Sequence, residues 1–455
     1  MQTKAFLIAG AGSGTGKTTV SLGLMAAFKR QGMRVQGFKA GPDYIDPSLH
    51  RVVTGRPSIN LDTWMMTPDF LLRSFESRAA KADISIIEGV MGLHDGRAPD
   101  SPEGSTAELA VTLGVPVILV INAKSMARTA AAIINGLIDF DKRVNIIGVI
   151  FNNIGSPNHL EILKKSISTY CSVPVLGGIP VVKDIKLPSR HLGLFMGEEG
   201  VLENRIDRLA DTISEHIDLE KILTAANMDI EDKPLFDTPS EISKGRIAVA
   251  RDNAFCFYYD DNFEILRNLG YDIVFFSPLR DTSLPENIKA IYLGGGYPEL
   301  YADSLARNTD MRSAIKVESE KGTFIYAECG GLMYLGRTLT DINGTKHDMC
   351  GCMPYDTLMQ GRLQSLGYTE ITPMDNFLFL KKGKKQRGHC FHYSELIMDD
   401  NAEVDSFYDG TPVDKAKGFR LRNTLVSYVH LHLGSYFFKR GGETKPHIIL
   451  INILL

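Results

Sequence analysis

This 455-residue chain has no basic excess, no paired cysteine motifs at metal-ligand spacing and no apolar run long enough to cross a bilayer. Lysine and arginine number 50 against 54 aspartates and glutamates, a net charge of −4. That balance leaves no basic face of the kind nucleic acid requires, so a nucleic-acid partner is excluded from the expectations. The six cysteines (Cys171, Cys256, Cys329, Cys350, Cys352, Cys390) are scattered, unlike the dense framework of a secreted domain, and fit a reducing, cytoplasmic compartment. Cys350-Gly351-Cys352 with His347 lacks a second CxxC or HxxxH, so a structural zinc is not expected. The N-terminal run Ala5-Phe6-Leu7-Ile8-Ala9 is too short to span a membrane. It continues into Gly, Ser and Lys instead of a small-residue cleavage site, and reads as a buried strand. No internal repeat links the two halves of the chain.

The residues after that strand carry chemistry. Gly12-Ser13-Gly14-Thr15-Gly16-Lys17-Thr18-Thr19 reads as a strand turning through a glycine loop into a helix. Gly12, Gly14, Thr15, Gly16 and Thr19 would turn backbone N–H groups onto phosphate oxygens, Lys17 would reach the outer phosphates and Thr18 would hold Mg²⁺. The usual first glycine of this spacing falls at Ala11, so the match is to the second half of the pattern. Lys39-Ala40-Gly41-Pro42-Asp43-Tyr44-Ile45-Asp46-Pro47 comes after the next strand, at the end where α/β sheets bind ligands. Its two carboxylates read equally as Mg²⁺ ligands or as caps of a proline-bounded turn. Ile84–Glu88 ends a third strand in an acid, which suits a second carboxylate near the metal. Beyond it, Asp95 lies on a glycine-flanked loop that can contact substrate, while His94 reads as a polar loop residue. Asn152-Asn153 ends another strand, where a side-chain amide could read the adenine edge.

Apolar runs at Phe6–Ala9, Arg34–Phe38, Ile84–Glu88, Val115–Ile121 and Val144–Phe151 alternate with amphipathic stretches, which predicts a doubly wound, mostly parallel α/β sheet. Glu203–Ala226 has helical spacing; Asp229–Lys244 then loses periodicity and reads as an exposed connection. The expected organisation is a nucleotide-binding domain over 1–228, a linker over 229–244 and a second α/β domain over 245–455. In that second domain strands are expected at Arg246–Ala250, Asp272–Phe276, Ala290–Leu293 and Thr323–Ala327. The basic run Lys381–Arg387 reads as a solvated loop.

Ala327-Glu328-Cys329-Gly330-Gly331 sets a cysteine on a sharp turn between strand and helix, where the helix start is expected to favour a thiolate. Ser427-Tyr428-Val429-His430-Leu431-His432 ends a strand in a histidine able to take the thiol proton, and Gly294-Gly295-Gly296 offers backbone N–H groups for an oxyanion hole.

Taken together, these blocks resemble the glutamine-dependent cobyrinic acid a,c-diamide synthases. The resemblance rests on GSGTGKTT at 12–19, KAGPDYIDP at 39–47, EGVMGLHDG at 88–96, LPSRHLGL at 187–194, YLGGGYPEL at 292–300, AECGGLMYL at 327–335, GHCFHYSE at 388–395 and SYVHLH at 427–432. It covers nearly the whole chain. It implies an ATP domain similar to dethiobiotin synthetase and a class I-type glutamine amidotransferase domain with a Cys/His dyad. Cys329 then falls on the nucleophile and His430 on its general base. Lys17, Asp46 and Glu88 fall in the ATP–Mg²⁺ site, and Asp43, Tyr44, Ile45 and Asp95 in loops linked to activation of the substrate carboxylate. The implied partners are cobyrinic acid and L-glutamine, with ATP and Mg²⁺ as cofactors and no membrane. The apolar terminus at 448–455 leaves an edge strand or a homodimer contact open. Two other readings stay beside this one: the same chemistry on nickel sirohydrochlorin, and an ATP switch using the amidotransferase half as scaffold.

Overall fold

A computed structural model describes residues 1–181, 199–237, 242–399, 402–413 and 415–435. The block at 187–194 and the apolar terminus at 448–455 lie outside the described residues. In the first half, β1 (Gln2–Gly10), β2 (Val35–Ala40), β3 (Ile59–Leu61), β4 (Ile84–Glu88), β5 (Val117–Asn122), β6 (Ile146–Ile154) and β7 (Val175–Pro180) form a parallel sheet ordered β3-β2-β4-β1-β5-β6-β7. The five expected strands are there because their residues are apolar on both faces, as a sheet covered on each side requires. Neither β3 nor β7 is expected from the sequence. The first is three residues long, and Gly177-Gly178 dilutes the second; a Cβ at Gly177 would lie 2.1 Å from the His216 carbonyl.

Reversal of strand order between β4, β1 and β5 leaves the carboxyl ends of β1, β2 and β4 facing one crevice. Helices α1 (Lys17–Arg30), α2 (Ile45–Thr54) and α3 (Pro68–Ala79) come after β1, β2 and β3. The expected helix over 203–226 is two helices, Glu199–His216 and Leu219–Ala225. The break falls at Asp218, whose carboxylate accepts from the Lys221 N–H at 3.0 Å and caps the second helix. Next, β8 (Asn227–Asp229) pairs antiparallel with Gln2–Lys4. Ile230 and Leu235 are buried and Arg73 bonds Asp237 at 2.8 Å, so this described part of the connection leans on the first half instead of running free.

The second half opens on β9 (Gly245–Ala250), β10 (Tyr271–Phe276), β11 (Ile288–Leu293) and β12 (Phe324–Glu328), parallel in the order β10-β9-β11-β12. Thr424–Ser427 extends the sheet in parallel beside β12. An antiparallel sheet of Tyr408–Thr411, Ser365–Pro373, Gln386–His392 and Val429–Leu431 stands against it. Among the described residues, no helix is long and apolar enough to cross a membrane.

The halves share one apolar cluster in which Phe70 of α3 lies with Leu431 and Leu433. Polar contacts frame it. The Ser74 hydroxyl donates to Asp261 at 2.6 Å, the Tyr368 hydroxyl to Asp62 at 2.7 Å, and Arg387 to the Trp64 carbonyl at 2.9 Å. Arg387 therefore leaves the basic run for a strand, its guanidinium 5.0 Å above the Trp64 ring.

Candidate active sites at the two sheet ends

At the end of β1 the chain turns with Gly14 and Gly16 at φ 76° and 101°, left-handed conformations that glycine adopts without strain, and enters α1 at Lys17. The Lys17 ammonium arches back over this loop to the carbonyls of Gly12, at 3.0 Å, and Met91, at 2.5 Å. Asn152 donates its amide to the Thr15 carbonyl at 3.0 Å, and a Cβ on Gly16 would fall 2.0 Å from that amide nitrogen. Asn152 thus braces the phosphate loop. Asn153 remains at the strand end, its amide on the Asn122 side chain at 3.1 Å.

Below the loop lies a buried polar cluster. The Thr18 hydroxyl donates to Glu88 at 2.6 Å, and the Lys39 ammonium lies 3.1 Å from the same carboxylate and 2.6 Å from Asp46. His50 meets the other Glu88 oxygen at 2.9 Å and Ser58 at 2.9 Å. Burial opposes the charge on Lys39, but Glu88, Asp46 and Asp43 outweigh it and hold the ammonium above its usual range. Sequence reasoning misses Lys39 and His50. Both sit just beside the acids it does find, on β2 and α2. The expected metal residues Thr18, Asp46 and Glu88 are brought together, with Lys39 between the two acids. Among the described residues no cluster of three His, Cys, Asp or Glu could hold a metal ion. The hydroxyl and carboxylate oxygens are the hard donors Mg²⁺ takes, and that ion usually draws its remaining ligands from water and phosphate.

Asp43 accepts the Ile45 N–H at 2.8 Å and so caps the start of α2, while Asp95 accepts the Gly92 N–H at 2.9 Å at the mouth of the loop. His94 bonds the Leu137 carbonyl at 3.2 Å and packs on Phe140, a structural role.

In the second half Cys329 occupies φ 47°, ψ −101°, strained for any residue with a side chain, between β12 and a short helix over Gly330–Leu335. Its N–H donates to the Ser427 carbonyl at 2.8 Å, and its thiol lies 3.7 Å from the Phe391 carbonyl. The expectation of a thiolate favoured by the helix start is corrected here. Burial, then Glu299 and Cys390, push the thiol above its usual range against the pull of the Gly330 N–H. Burial also lowers His430 to about 3, helped by His389 and His392, so the resting pair is a neutral thiol and a neutral imidazole.

Glu328, one residue before the cysteine, completes this group. Its carboxylate lies 3.8 Å from His430 Nδ1 and accepts from the hydroxyls of Tyr326 at 2.8 Å and Tyr292 at 3.0 Å and from the Leu431 N–H at 3.1 Å. Burial pushes it up to about 7. The sequence signal for Glu328 is only its adjacency to Cys329. The three expected oxyanion glycines separate. Gly294 gives its N–H to the Tyr258 hydroxyl at 2.8 Å, which removes it from that role. Gly295 leaves room for His430, since a Cβ there would sit 2.4 Å from the imidazole; Gly296, at φ 156°, lines the thiol pocket. His432 packs edge-on against Phe70 of the first half, and His347 bonds Asp341 at 3.2 Å, away from any zinc set.

One loop touches both sites. Tyr44, between Asp43 and Asp46, stacks on Phe257 at 4.8 Å and 8°, and its ring centre is 5.2 Å from that of His430. Phe257 in turn lines the Cys329 pocket. Tyr44 thus reaches the seam between the halves, whereas the resemblance implies only a substrate loop.

A P-loop nucleotide-binding domain docked on a glutamine amidotransferase domain is the class that this fold defines. Residues 6–195 match the CobQ/CobB/MinD/ParA nucleotide binding domain, and residues 246–437 the CobB/CobQ-like glutamine amidotransferase domain. The chain belongs to the cobyrinate a,c-diamide synthase family. It is 43% identical over 444 residues to the cobyrinate a,c-diamide synthase of Priestia megaterium, covering 96% of this chain and 95% of that one. Against the Picrophilus torridus protein of the same name it is 42% identical, covering 96% and 97%. Against that of Salmonella typhimurium it is 41% identical, covering 94% and 95%.

Proposed function

We propose that this chain uses ATP and glutamine to amidate the a and c acetate carboxylates of cobyrinic acid. The observation that carries the proposal is the Gly41–Asp46 segment, which bears acids of the phosphate site and packs Tyr44 against the general base of the thiol site. An amide-forming ligase that makes its own ammonia needs both sites on one seam, because ammonia released to water at neutral pH is largely protonated.

ATP with Mg²⁺ supplies the activation, turning a carboxylate with a poor leaving group into an acyl phosphate that ammonia can attack. Thr18 and Glu88 would hold the metal, Lys17 and the Gly12–Gly16 amides the phosphates, and Lys39 keeps Asp46 and Glu88 apart from one another's charge. Asp43, Tyr44, Ile45 and Asp95 border the crevice where the macrocycle would present its acetates.

At the other site Cys329 attacks the side-chain amide of glutamine. His430 takes the thiol proton and passes it to the departing ammonia, and Glu328 steadies the imidazolium that forms. The N–H groups of Gly296 and Gly330 would face the oxyanion, and water then frees glutamate.

Incubation with ATP, Mg²⁺, glutamine and either cobyrinic acid or nickel sirohydrochlorin, read by product mass, tests the reading. Two amidations of the corrinoid are expected. Amidation of the nickel compound alone would move the assignment to that ring. Glutamine binding without hydrolysis or product would favour a nucleotide-dependent switch.

A further inference from the structure

Eleven residues line a cleft beside the Cys329 thiol that opens to solvent on one side. Most are uncharged: Phe257, Gly296, Tyr297, Met333, Met359 and Phe391 among them. Glu299 is the exception, the one carboxylate in this wall. It stands on the short 3₁₀ turn Pro298–Tyr301 just after the glycine run. Among the described residues it forms no ion pair and no hydrogen bond to another side chain. Among the lining residues, His392 is the one basic group; its Nδ1 lies 2.8 Å from the Ser394 carbonyl, and burial holds it below its usual range and so uncharged. Burial pushes Glu299 itself up to about 7.

A carboxylate turned into an apolar pocket without a cation is unfavourable, and the cost is removed when a ligand brings the missing charge. The molecule that must enter carries one. Glutamine delivers its side-chain amide to Cys329, and its α-carbon, with ammonium and carboxylate, extends away from the thiol toward the pocket wall.

We propose that Glu299 binds the α-ammonium of glutamine and makes this site select an amino acid over a simple amide. The proposal rests on the reading of Cys329 as the glutaminase nucleophile. It adds the residue that decides which amide is cleaved there. A charge-assisted hydrogen bond to a partly buried carboxylate is directional, and an amide lacking the ammonium leaves that carboxylate without its cation, so selection comes from the cost of the mismatch.

The test compares glutamine with 4-carbamoylbutanoate, which has the same amide and carboxylate but no ammonium, as substrates for ammonia release. The unmodified enzyme is expected to prefer glutamine by about a hundredfold or more in kcat/KM. In Glu299→Gln, at an unchanged melting temperature, the KM for glutamine is expected to rise about a hundredfold. The preference should then largely disappear, while Glu299→Asp, which keeps the charge, retains it. No preference in the unmodified enzyme, or equal loss on both amides in Glu299→Gln, would overturn the proposal. So would a fall confined to kcat, because it would tie Glu299 to the charge balance of the thiol instead. Failure of the unmodified enzyme to release ammonia from either amide would count against the glutaminase reading and not against Glu299 alone.

Discussion

Around Glu88, buried charges meet opposite charges or hydrogen-bond partners: Lys39 lies between Glu88 and Asp46, Thr18 donates to Glu88, and His50 joins Glu88 to Ser58. Around Cys329 the arrangement is the reverse. The thiol is held protonated, His430 is held neutral with no hydrogen bond to its Nδ1, and Glu299 lines the pocket with no cation beside it among the described residues. The first site is assembled to hold charge that arrives with the nucleotide. The second keeps charge away until a substrate forces a proton to move. A highly charged transition state needs dipoles and cations already in place, whereas a thiol that must attack once per turnover gains from staying neutral between turnovers.

The largest effect expected from disturbing this contrast is at the thiol. Cys329→Ala should reduce glutamine-supported amidation to background while high ammonium still supports it, measured as amidated corrinoid with each donor. Equal loss with both donors would mean that the two sites do not divide the work.

Breaking the charged cluster should act on both donors alike. Glu88→Gln leaves Lys39 and His50 facing an uncharged amide and is expected to lower amidation about a thousandfold or more with glutamine or ammonium. Near-normal turnover with ammonium would remove Glu88 from the metal site.

A subtler outcome is expected at the mouth of the first site. Asp43→Asn or Asp95→Asn should slow one amidation more than the other, by about a hundredfold, because the second carboxylate must reach the same phosphate in a different ring pose. Product mass over time would show a monoamide accumulating. A proportional loss of both amidations would give these acids local capping roles alone.

The smallest effect is on stability. Glu328 titrates at about 7 in the fold against an ordinary 4.5. Below 4.5 both folded and unfolded forms are protonated and the full stability is present. As the pH rises from 4.5 to 7 only the unfolded chain loses this proton, so stability falls, by up to about 1.4 kcal/mol per pH unit. Glu328→Gln does not titrate, so its stability relative to the parent should rise across that window. Urea unfolding at pH 4.5 and pH 7.5 measures it, and a difference independent of pH would contradict the cause given for the shift.

Much of this is legible in the residues. The loop at Gly12–Thr19, the acids ending β4 and starting α2, and the turn at Cys329 stand out because each needs rare residue types at fixed offsets beside an apolar strand. Lys39 is not legible, since a lysine at the end of a strand reads as solvated until two buried carboxylates are found on either side of it. Gly294 and Gly296 look alike in sequence. Only the Tyr258 hydroxyl, brought by another loop, separates them. Likewise Tyr44 reads as one more loop residue, because docking of one half on the other leaves no periodicity. The strand that carries His389 mixes polar and apolar residues and pairs with distant partners, so neither alternation nor spacing marks it, although the strand ending in His430 opposite it is legible.

The stack of Tyr44 on Phe257 beside His430 bears on how such a protein can be taken apart. Half of that aromatic contact comes from each domain, and Tyr44 is flanked within two residues by acids of the phosphate site. A chimera joining the first half of one relative to the second half of another would therefore bring unfamiliar neighbours together at the point where both active sites meet. The unit of inheritance is the pair of domains, although each has its own sheet.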